Sequence, residues 1–68
     1  MNSFKTIVER NTGSLYIFAW KAYSGYDGAI KYGATATCWE TLEDLEDIAC
    51  QDEAEAVTAW ARLVEKYR

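Results

Sequence analysis

The sequence predicts an α+β fold: a three-stranded antiparallel β-meander followed by two helices packed on one sheet face, in the order β-β-β-α-α. Three observations carry that prediction. Residues 4–38 contain three runs rich in β-branched and aromatic side chains, separated by clusters of Asn, Ser, Asp and Gly. The apolar period lengthens after Trp39, from two to three or four residues. The links between the runs are far shorter than a parallel crossover, which needs about a dozen residues or more.

The elements follow in order. Phe4-Lys-Thr-Ile-Val-Glu-Arg10 reads as a first strand, closed by the turn cluster Asn11-Thr12-Gly13-Ser14. Residues 15–23 read as a second. Tyr16, Phe18, Trp20 and Ala22 lie on one of its faces; Leu15, Ile17, Ala19, Lys21 and Tyr23 lie on the other. Both faces are largely apolar, which suits a central strand. Ser24-Gly25-Tyr26-Asp27-Gly28 is the next turn. Residues 29–38 form a third strand, with Ile30, Tyr32, Ala34, Ala36 and Cys38 inward. Lys31, Gly33, Thr35 and Thr37 point toward solvent. The small inward residues invite close packing by a helix.

Thr41 with Asp44 resembles a capping box and predicts a first helix from Leu42, with Leu42, Leu45, Ile48 and Ala49 on one face and acids opposite. Asp52 with Glu55 is a second cap, so a break falls near residues 50–52. Ala56, Val57, Trp60, Ala61, Leu63, Val64 and Tyr67 then share one face of a second helix. The expected core is Phe4 or Ile7, Ile17, Ile30, Tyr32, Ala34, Leu42, Leu45, Ile48, Val57, Trp60, Leu63 and Val64.

Size and composition bound the rest. The chain has 68 residues, room for one domain over residues 1–68, and a domain this small buries only about 60% of its unfolded surface. Half the residues are apolar and 15% aromatic, at a net charge of −4, which excludes a disordered chain. No apolar run approaches the ~20 residues of a membrane span. Met1–Thr6 lacks the apolar stretch of a secretory signal. With Cys38 and Cys50 spaced unlike any zinc or redox motif, the expectation is a cytoplasmic protein with two free thiols, a 38–50 disulfide being the alternative.

Charge is strongly segregated. Residues 40–55 hold eight acids and no base, whereas the remainder holds three acids and seven bases. Acids in a helix's first turn complement its dipole. That does not account for Glu46 and Asp47 further along, because like charges three and four apart repel on a helix. The predicted function is therefore a non-catalytic one. An acidic helical face, Glu43, Asp44, Glu46, Asp47, Asp52 and Glu55, would engage a basic, nucleic-acid-binding site on another protein and block it. In length, acidity and lack of catalytic residues the chain is similar to small acidic inhibitors, including phage-encoded anti-CRISPR and DNA-mimic proteins. That resemblance implies inhibition by mimicry of a nucleic acid.

A second expectation is aromatic. Tyr16, Phe18 and Trp20 would lie on the sheet face that the helices leave open, where a homodimer could bury them. Direct nucleic-acid binding is not expected, since four bases scattered over three strands make a thin footprint. No metal site is expected, because the acidic stretch lacks the glycine turn of a calcium loop. No cofactor is implied. Catalysis is not expected either: the chain has no histidine, no nucleophile elbow and no phosphate-binding loop.

Overall fold

Alternating runs become strands wherever neighbours can complete their hydrogen bonds, and here four such runs do so. The computed structural model describes residues 2–68. The elements are β1 (Asn2–Asn11), β2 (Leu15–Ser24), β3 (Ile30–Cys38), β4 (Asp44–Cys50) and one helix, α1 (Glu53–Lys66). The sheet order is β1-β2-β3-β4, antiparallel at each step. The α+β class and the meander stand, while the count changes from three strands and two helices to four strands and one helix.

The turns follow local chemistry. The Asn11 side chain accepts from the amide of Gly13 at 2.9 Å, and Gly13 takes φ 91°. Asp27 accepts from the amide of Ala29 at 2.9 Å, and Gly28 takes φ 74°. Both are conformations in which a missing Cβ removes the steric penalty.

The correction at residues 42–50 has a physical cause. Isolated helices shorter than about 12–15 residues are marginal in water. This one would also stack Glu43, Glu46 and Asp47 on one side. Pairing with β3 instead adds a ladder of backbone hydrogen bonds and separates the acids: Glu46 turns to the covered face beside Lys66, while Asp44 and Asp47 take the opposite face. Ile48 is opposite Ala34 and Cys50 is opposite Tyr32. A bulge between Ala36 and Thr37 pairs Glu46 and Asp44 with adjacent β3 residues and leaves Leu45 unpaired. Thr41 caps no helix; its hydroxyl accepts from the Glu43 amide at 3.3 Å inside the β3–β4 turn.

Register assigns the two faces, because directly opposed residues point the same way. The covered face carries Val8, Leu15, Ile17, Ala19, Ala34, Ala36, Glu46, Ile48 and Cys50. A bulge between Thr6 and Val8 accommodates Ile7 and places Phe4 on the opposite, open face. Of the two residues expected as alternatives for the core, neither joins it: Phe4 is exposed on the open face and Ile7 is half-buried at the bulge.

Helix α1 lies on the covered face. Asp52 caps it, accepting from the Glu55 amide at 2.8 Å, and residues 51–52 form the expected break. Ala59 and Leu63 pack onto Ile17, Ala34 and Ala36, with Leu15, Ile48, Cys50, Trp60, Val64 and Tyr67 around them. Ile17 and Leu63 are the large fully buried side chains, each contributing about 1.5–3 kcal/mol by burial. The Trp60 indole donates to the Ile17 carbonyl at 2.9 Å and fixes the helix to β2. Seven expected core residues lie outside this cluster: Phe4, Ile30, Leu42 and Leu45 are exposed, Leu42 by 73%, and Ile7, Tyr32 and Val57 are half-buried. Leu42 and Leu45 would turn inward only on a helix; here Leu42 lies in the turn before β4 and Leu45 at its bulge.

Both cysteines are free. Cys50 faces Tyr32, six residues along β3 from Cys38. At ~3.4 Å per residue that is roughly 20 Å, well beyond the ~7 Å Cα limit of a disulfide.

Candidate interaction surface

The side of the sheet away from α1 is covered by aromatic rings. Alternation along β2 places Tyr16, Phe18 and Trp20 there, as expected. Trp20 does not stand upright; it folds across β3 over Gly33. A Cβ at position 33 would lie 2.6 Å from Trp20 Cε2 and 2.9 Å from the Ile48 carbonyl, so only glycine fits beneath the indole. The indole N–H donates to Thr35 Oγ1 at 2.9 Å, and Thr35 donates on to Asp47 Oδ1 at 2.9 Å. Gly33 and Thr35, expected to face solvent, are therefore buried under Trp20, with Thr35 only 5% exposed.

Phe4 from β1 extends the layer. It stacks on Trp20 at 5.9 Å and 28° and meets Phe18 edge-on at 6.1 Å. Phe18 stacks on Tyr16 at 4.9 Å, and Tyr16 stacks on Trp39 at 5.3 Å. The result is one continuous row, Trp20–Phe4–Phe18–Tyr16–Trp39. Trp39 lies in the β3–β4 turn and is held by donation from its Nε1 to Asn11 Oδ1 at 3.1 Å. Such ring pairs contribute about 0.5–1.5 kcal/mol each beyond area burial. The row thus stiffens the sheet while leaving Phe4 and Trp39 exposed.

Three carboxylates flank this row. Glu9 on β1 accepts from the Tyr16 hydroxyl, and that hydrogen bond, with burial, raises the Tyr16 phenol above its ordinary value. On β4, Asp47 accepts from Thr35, and Asp44 accepts from Thr37 at 2.9 Å. The ion pairs among the described residues are Lys66–Glu46 and Arg68–Glu65, so none of the three flanking acids has a basic partner among them.

The six acids expected on one helical face are therefore dispersed. Asp44 and Asp47 reach the open sheet face. Glu46 points to the covered face, where Lys66 pairs with it and Tyr67 donates to it at 3.1 Å. The Lys66 hydrogen bond holds the Glu46 carboxyl below its usual value, and Lys66 is raised in turn, first by its hydrogen bond to Glu46. Asp52 and Glu55 belong to the capped start of α1. Glu43 lies in the turn, its carbonyl accepting from the Cys38 amide at 3.0 Å.

That turn carries a second apolar feature. The Leu42 amide donates to the Cys38 carbonyl at 2.7 Å and Leu42 takes φ 59°, a left-handed conformation usually left to Gly or Asn. For an L-residue this costs roughly 1–2 kcal/mol. Its side chain buries little in return, and Leu45 at the bulge is also exposed, by 48%.

Sequence reasoning missed Glu9 and Phe4 as members of the surface. They sit on opposite parities of β1, and only the bulge at Ile7 brings both to one face. Among the described residues no helix is long and apolar enough to cross a membrane, and no cluster of three or more His, Cys, Asp or Glu could hold a metal ion. Comparison with known proteins yields no matching family model, no matching curated protein and no matching solved structure.

Proposed function

We propose that this is a non-catalytic binding protein that docks the open face of its sheet onto a basic surface of another protein. One observation carries the reading: an uncovered row of five rings is bordered by Glu9, Asp44 and Asp47, none of them paired with a base among the described residues. Exposed apolar patches rimmed by charge mark interaction sites. Carboxylates steer association with a cationic partner and set its orientation. Aromatic side chains supply the contact area in the interface centre. Where the partner's basic surface is the one that holds nucleic acid, docking displaces the nucleic acid, and the protein acts as an inhibitor of the anti-CRISPR kind.

The second reading, a homodimer through Tyr16, Phe18 and Trp20, has the same rings in its favour. Charge weighs against it. Face-to-face stacking would bring two copies of Glu9, Asp44 and Asp47 together, with Lys31 the base on that face.

The test uses an immobilised nona-arginine peptide and a single-stranded oligonucleotide competitor. The expected result is salt-sensitive binding, weakened at least tenfold by Asp44→Lys with Asp47→Lys and likewise by Phe4→Ser with Trp39→Ser. Glu53→Lys with Glu55→Lys, an equal charge change on α1, should leave it nearly intact. Equal loss in all three variants would reduce the effect to net charge and overturn the reading. A concentration-dependent dimer in sedimentation, abolished by Phe4→Ser, would favour the second reading.

A further inference from the structure

The covered face is not covered throughout. Lys5 and Lys21 are direct partners across β1 and β2, so their side chains leave the sheet side by side, with Cβ atoms about 4.5–5.5 Å apart. In the next row outward, Tyr23 is opposite Ser3 on one side and Ile30 on the other, and Tyr23 and Ile30 are each 45% exposed. These five residues line a cavity of about 330 Å³, and α1 contributes nothing to its wall. Neither lysine has a carboxylate partner among the described residues. The acids at the start of α1 act on Cys50 of β4, two strands across from Lys21.

Like charges directly opposed on adjacent strands destabilise a sheet. Here no carboxylate among the described residues pairs with either lysine, and the lining supplies cations, hydroxyls and apolar surface but no acid. We infer that this cavity is a binding site for a small phosphate monoester bearing an apolar or aromatic group. A monoester carries about −1.5 to −2 charges at neutral pH, which matches the two ammonium groups. Its oxygens accept from both lysines and from the hydroxyls of Ser3 and Tyr23, while Ile30 and the Tyr23 ring receive the apolar substituent. The volume lies at the small end of ligand pockets, about 300–1,000 Å³. The site lies on the opposite side of the sheet from the proposed docking face and does not depend on it.

The experiment is an NMR titration of the full chain with phenyl phosphate, inorganic phosphate and benzoate, repeated in Lys5→Glu and Lys21→Met. Saturable shifts are expected at the amides of Ser3, Lys21, Tyr23 and Ile30, with phenyl phosphate bound more tightly than either of the other two. Both variants should lose at least tenfold in affinity. Lys5→Glu should at the same time raise the melting temperature, since it turns the repulsion into an ion pair. Asp47→Lys, on the other face, should leave the titration unchanged. The inference fails if the shifts do not saturate, if they survive Lys5→Glu, or if phenyl phosphate binds no better than inorganic phosphate. Binding only to phosphatidylcholine vesicles containing phosphatidic acid, with neither soluble phosphate bound, would overturn the small-ligand assignment.

Discussion

Gly33→Ala tests how the open face is built. A methyl group at position 33 would meet Trp20 Cε2 at 2.6 Å and the Ile48 carbonyl at 2.9 Å. The indole must lift, and lifting it breaks the 2.9 Å bond from Nε1 to Thr35. Overpacking of this kind costs about 1–3 kcal/mol, and the lost hydrogen bond adds about 0.5–1.5 kcal/mol. Restricting the unfolded chain by replacing glycine offsets about 0.4–1 kcal/mol. The net expectation is a loss of about 2 kcal/mol, or roughly 8–16 °C in melting temperature for a domain of this size. The assay is thermal unfolding by circular dichroism, paired with hydrogen exchange at the Trp20 indole N–H, which should accelerate. A cycle with Trp20→Ala separates the two clashes: the combined variant should lose less than the sum of the single losses, because the ring is gone while the Ile48 carbonyl remains. A Gly33→Ala protein as stable as its parent, with unchanged indole exchange, would refute the account of Trp20 as a lid over β3.

Leu42→Gly should stabilise the fold by up to about 1 kcal/mol in denaturant unfolding, because relief of the φ 59° strain outweighs the small burial lost. Cys38 should be alkylated well before Cys50 at neutral pH, read by mass spectrometry of digests. The amide of Thr41 lowers the Cys38 thiol, whereas burial raises that of Cys50. Lys66→Met should remove one component of the pH dependence of stability. The Glu46 carboxyl is lowered by Lys66, so its contribution is complete above the unfolded carboxylate value and fades as pH falls through the folded one. The Lys66 amine is raised by Glu46, so its contribution is complete below the unfolded lysine value and fades as pH climbs through the folded one. Melting curves across pH should show both slopes in the parent and a weaker acid slope in the variant.

Short-range chemistry decided much of this molecule. Asn11 and Gly13, Asp27 and Gly28, and the Asp52 cap each form from residues within three positions of one another, so their turns and the start of α1 can be read along the chain. The strict alternation of β2 and β3 likewise announced Ile17, Ala34 and Ala36 as the floor beneath a helix, and Tyr16, Phe18 and Trp20 as the opposite layer. Residues 42–50 were different. Their apolar spacing of three and four is a helix's, and what overrode it was the edge of β3, a partner that exists only once the meander has formed. That choice moved Asp44 and Asp47 onto the aromatic side and turned Glu46 toward Lys66. The bulge at Ile7, which unites Phe4 with Glu9, and the descent of Trp20 over Gly33 were decided in the same way. Backbone pairing between distant strands sets register, and register determines which side chains share a surface.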